Sequence, residues 1–134
     1  MNRIIDVNLN RATEALRIIE EIARFYLDNY DLCEKLKLIR HELSEVIDVN
    51  YKNLLDSRDT ENDVGIDIKN PTSKNDIFDI YKANFKRLQQ SLRVLAEYGN
   101  FEDIDINIFE KARYNSYTLE KTMFEQLSNK LNKI

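Results

Sequence analysis

The chain has 134 residues, 43% of them hydrophobic and 33% charged, with a net charge of −4. That is enough for one domain, 1–134, around a single core, and it is neither disordered nor basic enough for a broad nucleic-acid surface. One cysteine, Cys33, and one histidine, His41, leave no disulfide framework, no cysteine cluster and no zinc site to expect.

The opening MNRIIDVN carries no apolar run of the signal-peptide type, and no stretch reaches membrane-spanning length. A cytoplasmic protein without membrane contact is therefore expected. Two glycines and one proline are too few to punctuate a sheet with tight turns, which favours long helices.

From Leu9, the apolar residues Ala12, Leu16, Ile19, Ala23 and Tyr26 recur at steps of three and four, which predicts a first amphipathic helix. A second is predicted over 32–55, with Leu36, Ile39, Leu43, Val46 and Ile47 on one face. The stretch 56–76, DSRDTENDVGIDIKNPTSKND, has no helical period. Loops this long in a compact domain tend to be functional or mobile, and this one gathers Arg58, Asp59, Asp63 and Gly65, a mix suited to a phosphate and its metal. A third helix is predicted over 75–98, stopped by Gly99 as a left-handed residue. A fourth is predicted over 106–131, with Phe109, Ala112, Ser116, Met123 and Leu127 inside.

The first and third helices repeat each other. NLNRATEALRIIEEIARF (8–25) falls on NFKRLQQSLRVLAEYGNF (84–101), matching asparagine, two arginines and a glutamate. The second and fourth echo more weakly, LKLIRHEL against FEKARYNS, pairing Arg40 with Arg113 and His41 with Tyr114. The expected fold is all-α: an up-and-down bundle of four to five helices built from a duplicated hairpin.

At about 100° per residue, Asn8 sits within the apolar arc of the first helix and Arg11 on its flank, as Asn84 and Arg87 do in the third. Arg40 and Arg113 lean the same way in the other two helices. Each of these arginines must meet water, a carboxylate such as Glu120 or Asp6, or a bound anion, because guanidinium stays charged. Four at equivalent places would converge on one cleft, and phosphate suits their forked donors best. Arg17 and Arg93, with Glu14, Glu21 and Glu97, lie away from the core stripe, where a solvated face of ion pairs and a subunit interface are both open readings. Tyr114 and Tyr117 could stack on a heterocycle or pack in the core. No glycine-rich phosphate loop of either common kind occurs, and no nucleophile constellation is available.

RIIDVNLNRATEALRIIEEIARF, LIRHEL, SRDTENDVG, KANFKRLQQSLRVLAEYG and ARYNSYTLEK, in this order, resemble the small hydroxymethylpyrimidine phosphate kinase family, which occurs alone or fused ahead of thiamine phosphate synthase. The resemblance runs from Arg3 to about Lys121. It implies ATP- and Mg²⁺-dependent phosphorylation of 4-amino-5-hydroxymethyl-2-methylpyrimidine phosphate to the diphosphate in thiamine biosynthesis, with the free alcohol excluded. The family pattern carries onto Asn8, Asn10, Arg11, Glu14, Arg17, Glu21, Arg40, His41, Arg58, Asp59, Asp63, Gly65, Asn84, Arg87, Arg93, Glu97, Arg113 and Tyr117. Gln90 and Ala96 depart from it, standing where glutamates are expected.

On that resemblance, Arg11, Arg87, Arg40 and Arg113 divide the acceptor phosphate and the ATP tail, and Arg58 closes over the transferring group. Asp59 or Asp63 holds Mg²⁺, and Asn8 or Asn84 reads the aminopyrimidine edge. Glu14, Arg17, His41, Arg93, Glu97 and Tyr117 are further binding candidates. A stand-alone member is expected, because no synthase domain follows residue 134, and a homo-oligomer, with a trimer by analogy to helical adenosyltransferases. Thiamine phosphate synthase is a candidate partner. The rival readings are a non-catalytic module binding that synthase or a phosphorylated pyrimidine and, further off, an adenosyl-transferring enzyme.

Overall fold

A computed structural model describes residues 1–69 and 73–132. Five α-helices make up the body: α1 (Asn2–Glu21), α2 (Tyr30–Val49), the short α3 (Tyr51–Asp56), α4 (Ile77–Tyr98) and α5 (Asn107–Asn132). No strand occurs among the described residues. The all-α bundle is as the sequence implies.

Local chemistry sets the ends of these helices. Asn29 caps α2 by accepting from the Leu32 N–H at 3.0 Å, and Asp76 caps α4 by accepting from the Asp79 N–H at 2.9 Å. The single helix expected over 32–55 breaks at Asn50, which leaves helical geometry (φ −105°, ψ 13°) and separates α2 from α3. After α1 the chain continues through one π-helical turn, Ile22–Tyr26, and after α4 through a 3₁₀ turn, Gly99–Glu102.

Both hairpin turns are then reversed by an aspartate in the left-handed region, Asp28 (φ 50°) and Asp103 (φ 55°). Gly99 does not play that part. Its φ of −58° is ordinary helix, and glycine stands there because a Cβ would meet Ile106 Cγ2 at 2.8 Å. The constraint is the close return of the 104–106 loop, not backbone handedness.

The helices form two layers. α1 packs on α4, α2 under α1, α5 under α4, and α2 touches α5. α1 and α4 run antiparallel, since the Met1 amino group lies 3.9 Å from Glu102, just past the end of α4. The start of α4 lies instead by the end of α5: Tyr81 donates to the Glu120 carbonyl at 2.5 Å, and the Phe78 and Phe124 rings are 5.8 Å apart. Lys130 reaches the Tyr26 carbonyl at that same end.

Each hairpin is therefore up-and-down, but the two are joined by a crossover. α2 ends at the base of the bundle and α4 begins at the top, so the connection must travel the length of a 22-residue helix, roughly 33 Å at 1.5 Å per residue. That is why 56–76 is long and non-periodic. Its residues 70–72 lie outside the described part of the chain.

The core runs between the layers. Leu9, Leu16 and Ile19 of α1 meet Phe85, Leu88 and Leu92 of α4, with Leu36, Leu43, Phe109 and Met123 beneath, all fully buried. Each such side chain contributes about 1.5–3 kcal/mol by leaving water. Asn8 and Asn84 belong to this core: both are 5% exposed, and each donates from Nδ2 to the carbonyl four residues back, Ile4 (2.9 Å) and Ile80 (2.8 Å). The duplicated asparagine thus makes the same bond in both halves.

Candidate functional site

The candidate arginines fall into two groups, those matched by a carboxylate and those left open. Arg40 donates from Nε and Nη2 to both oxygens of Glu20, at 2.7 and 3.2 Å. Glu20 is 6% exposed and reaches Arg40 from the edge of α1's apolar arc. Arg58 grips Asp6 in the same forked way, at 2.8 and 3.1 Å. Asp6 is 5% exposed, and its Oδ1 also accepts from Asn10 at 3.3 Å. In both cases the hydrogen bond and charge of the carboxylate hold the guanidinium above its usual pKa.

Arg113 is the counterpart of Arg40, but Ala96 stands where Glu20 would recur. Arg113 turns to its own helix instead, donating to Glu110 at 2.7 Å and, at 3.5 Å, to the Tyr117 hydroxyl. Its Nε is buried with no partner. The hydrogen bond to Glu110 raises its pKa most, followed by that to Tyr117. The Tyr114 ring lies 5.0 Å from its guanidinium carbon, and the Tyr114 and Tyr117 rings are 6.4 Å apart. Glu120 serves Gln89 at 2.8 Å rather than an arginine.

Arg93 pairs with Glu97 at 2.6 Å on the surface of α4. The exposed Arg11, Arg17 and Arg87 take part in none of the ion pairs found among the described residues, and His41 is exposed. Arg17 lines an open groove of about 550 Å³ between α1 and α2 with Glu14, Ile18, Arg40 and Ser44.

The loop residues gather at the base of the bundle. The Asp59 carbonyl accepts from Arg3 at 3.0 Å and its carboxylate from Asn62 at 2.9 Å. Asp63 accepts from the Gly65 N–H at 2.9 Å. No group of three or more His, Cys, Asp or Glu side chains that could hold a metal forms among the described residues. Asp59 and Asp63 are both exposed, and carboxylate oxygen is the donor type that Mg²⁺ takes, one or two from protein sufficing where phosphates supply the rest.

The four core-flanking arginines are thus not gathered in one hollow of the single chain. Two are held by carboxylates, and no cavity described combines arginines of both halves. Reading from one helix at a time located the arginines but missed Glu20 and Glu110 as their partners. The signal was present in Glu20, which falls beside Leu16 at the rim of the apolar arc and so had to find a cation.

A feature outside that reading is an exposed stripe on α1, with Ile4, Val7, Arg11, Glu14, Ile18, Glu21 and Phe25 spaced alternately by three and four. The positions 76 residues on hold Ile80, Ala83, Arg87, Gln90, Val94, Glu97 and Phe101, of which Ile80 and Val94 are partly buried. Phe25 and Phe101 are each 66% exposed. Because α1 and α4 are antiparallel neighbours with α2 and α5 packed on one side of them, the hairpins are related by a twofold through both layers. Both stripes therefore occupy the same outer face.

The ThiD2 family model matches residues 3–122. Among curated proteins, the chain is similar to the thiamine-phosphate synthase of Synechocystis sp. (39% identical, covering 88% of this chain and 34% of that protein). It is also similar to those of Rhodopirellula baltica (41%, covering 86% and 32%) and Nostoc punctiforme (39%, covering 90% and 34%). The chain spans about a third of the length of these relatives. No solved structure matches. Among the described residues no helix is long and apolar enough to cross a membrane.

Proposed function

The chain belongs to the ThiD2 family, and on that premise we propose that it is an enzyme of thiamine biosynthesis, a kinase converting 4-amino-5-hydroxymethyl-2-methylpyrimidine phosphate and ATP to the diphosphate and ADP. The observation that carries this reading is the pair Arg11 and Arg87. They occupy the same place in the two halves, lie on one outer face, and take part in no ion pair among the described residues, while Arg40, Arg58 and Arg113 are matched by carboxylates. A guanidinium that has no protein carboxylate is free for an external anion, and its fork fits phosphate. The names of the similar synthases support the pathway.

In the reaction, an oxygen of the acceptor phosphate forms a bond to the γ-phosphorus of ATP as the bond to the β–γ bridging oxygen breaks and ADP leaves. The acceptor is largely ionised at neutral pH, its second pKa being about 6. It needs no general base, so the absence of a placed histidine or aspartate base is no obstacle. The difficulty is bringing two anions together in line, and Arg11 and Arg87 reduce that repulsion and fix the geometry. Mg²⁺, when bound, would neutralise the phosphate tail, with Asp59 and Asp63 as its candidate protein ligands. Selectivity would follow from the same charges, since an alcohol without phosphate offers the two guanidinium forks no anion to bind.

The test is turnover of the purified chain with ATP, Mg²⁺ and the pyrimidine monophosphate. Diphosphate and ADP formed in equal amounts is the expected result. Tight binding of the monophosphate without turnover would instead make the chain a binding module.

A further inference from the structure

The ring of the proposed acceptor has no reader in the core, because Asn8 and Asn84 are buried and donate to the carbonyls of Ile4 and Ile80. The open groove between α1 and α2, about 550 Å³, has donors and acceptors to spare. Of its polar lining, Arg40 is occupied by Glu20, and the Thr13 hydroxyl is donated to the Leu9 and Asn10 carbonyls at 3.0 and 3.1 Å. Glu14 and Arg17 are exposed and take part in no ion pair among the described residues.

The second half supplies an internal comparison. α4 repeats α1 at an offset of 76, and α5 repeats α2 at 73, with the buried Leu36, Ile39 and Leu43 falling on Phe109, Ala112 and Ser116. Arg17 then falls on Arg93, Glu14 on Gln90 and Ser44 on Tyr117. Arg93 is bound by Glu97 at 2.6 Å, and the Tyr117 phenol stands where Ser44 has only a hydroxymethyl group, its oxygen 3.5 Å from Arg113 Nη1. Glu21 has the same spacing from Arg17 as Glu97 has from Arg93, yet that pair is not made. Equivalent positions are closed by their own neighbours in one half and left open in the other.

We propose that the α1/α2 groove takes the aminopyrimidine ring of the acceptor, with Glu14 accepting from the exocyclic amine, Arg17 donating to the adjacent ring nitrogen and Arg11 holding the phosphate. The identity of the ring rests on the kinase reading. Along one edge of that ring come a nitrogen, the carbon bearing the amine and the carbon bearing the phosphorylated methylene, so acceptor, donor and anion follow in order. Along α1 come Arg17, Glu14 and Arg11, at steps of three that set Cβ atoms about 5–6 Å apart. A donor, an acceptor and a cation thus meet their complements in the same order. Ile18 offers the ring face an apolar wall, and Ser44 leaves it room. Adenine also has an amine beside a ring nitrogen, but its phosphates hang beyond a ribose on the far side of the base, out of reach of a cation one turn away.

Titration calorimetry and steady-state kinetics on the whole chain test this with the monophosphate, its analogue bearing hydrogen in place of the 4-amino group, and ATP. The native chain should bind the amino compound at least about tenfold more tightly than the analogue. Glu14→Gln, which installs the residue of the second half, should lose most of that preference. It should also raise KM for the monophosphate about tenfold and leave KM for ATP within about twofold. Ser44→Tyr, which installs the plug of the second half, should weaken the monophosphate about tenfold, both variants melting near the native temperature. Native monophosphate affinity in both variants overturns the assignment, as does a loss that falls on ATP instead. Binding with the amine preference intact but without turnover would leave the groove standing and sink the kinase reading. Turnover indifferent to both variants and to the amine would do the reverse.

Discussion

Arg40 and Glu20 meet through two nitrogens and two oxygens, at 2.7 and 3.2 Å, with only 15% and 8% of their side chains exposed. This pair ties α2 to α1, and its fork leaves little of the guanidinium for a ligand. Glu20→Ala should leave a half-buried cation unmatched and cost about 3 kcal/mol. Replacing both residues by leucine should recover most of that loss, because the desolvated charges go together. Urea denaturation of the three proteins checks this, and a Glu20→Ala variant as stable as the native chain would show that water serves Arg40 equally well.

The second half lacks this clamp, with Ala96 in place of the glutamate and the Arg113 Nε buried and unpartnered. Ala96→Glu should let Arg113 make the missing bond and raise stability by about 1 kcal/mol, a few degrees in Tm. A falling Tm would mean that Ala96, 8% exposed, is held to its size by packing.

Gly99→Ala should destabilise through contact rather than handedness. Its Cβ would lie 2.8 Å from Ile106 Cγ2 and 3.4 Å from Phe109 Cε2, an overpacking worth about 1–3 kcal/mol. Adding Ile106→Ala should relieve much of the cost. Thermal melts of the single and double variants make the comparison.

Tyr81, 2% exposed, has its phenol pushed above the usual 10.0, first by burial and then by the Glu120 charge. A folded value above the unfolded one means that this residue's contribution is complete below about pH 10 and is lost as the pH climbs past it. Tyr81→Phe should be about 1 kcal/mol less stable at neutral pH, having lost the bond to the Glu120 carbonyl. The gap between variant and native chain should then narrow in alkali. Urea melts at pH 7 and at about pH 11 measure it.

Helical spacing made the bundle and its internal duplication legible, because apolar residues at steps of three and four need only the chain itself to be read. The equivalence of Asn8 and Asn84 was visible in the same way, and their identical bonds to Ile4 and Ile80 account for it. The crossover was not legible. Two hairpins can be joined end to end or across, and only packing between α1 and α4 decides. Nor were the partners of Arg40 and Arg113, since these depend on which helix faces which. Gly99 misled for a related reason: glycine after a helix usually marks handedness, whereas here it marks the close return of Ile106.

The central claim is that the two open arginines, one from each half, hold one polyphosphate. Titration calorimetry of ATP and of the pyrimidine monophosphate, on the native chain and on Arg11→Lys and Arg87→Lys, tests it most directly. Lysine keeps the charge and removes the fork, so each variant should bind at least about tenfold more weakly and turn over more slowly, with helical content unchanged. Native affinity and native turnover in both variants would contradict the account.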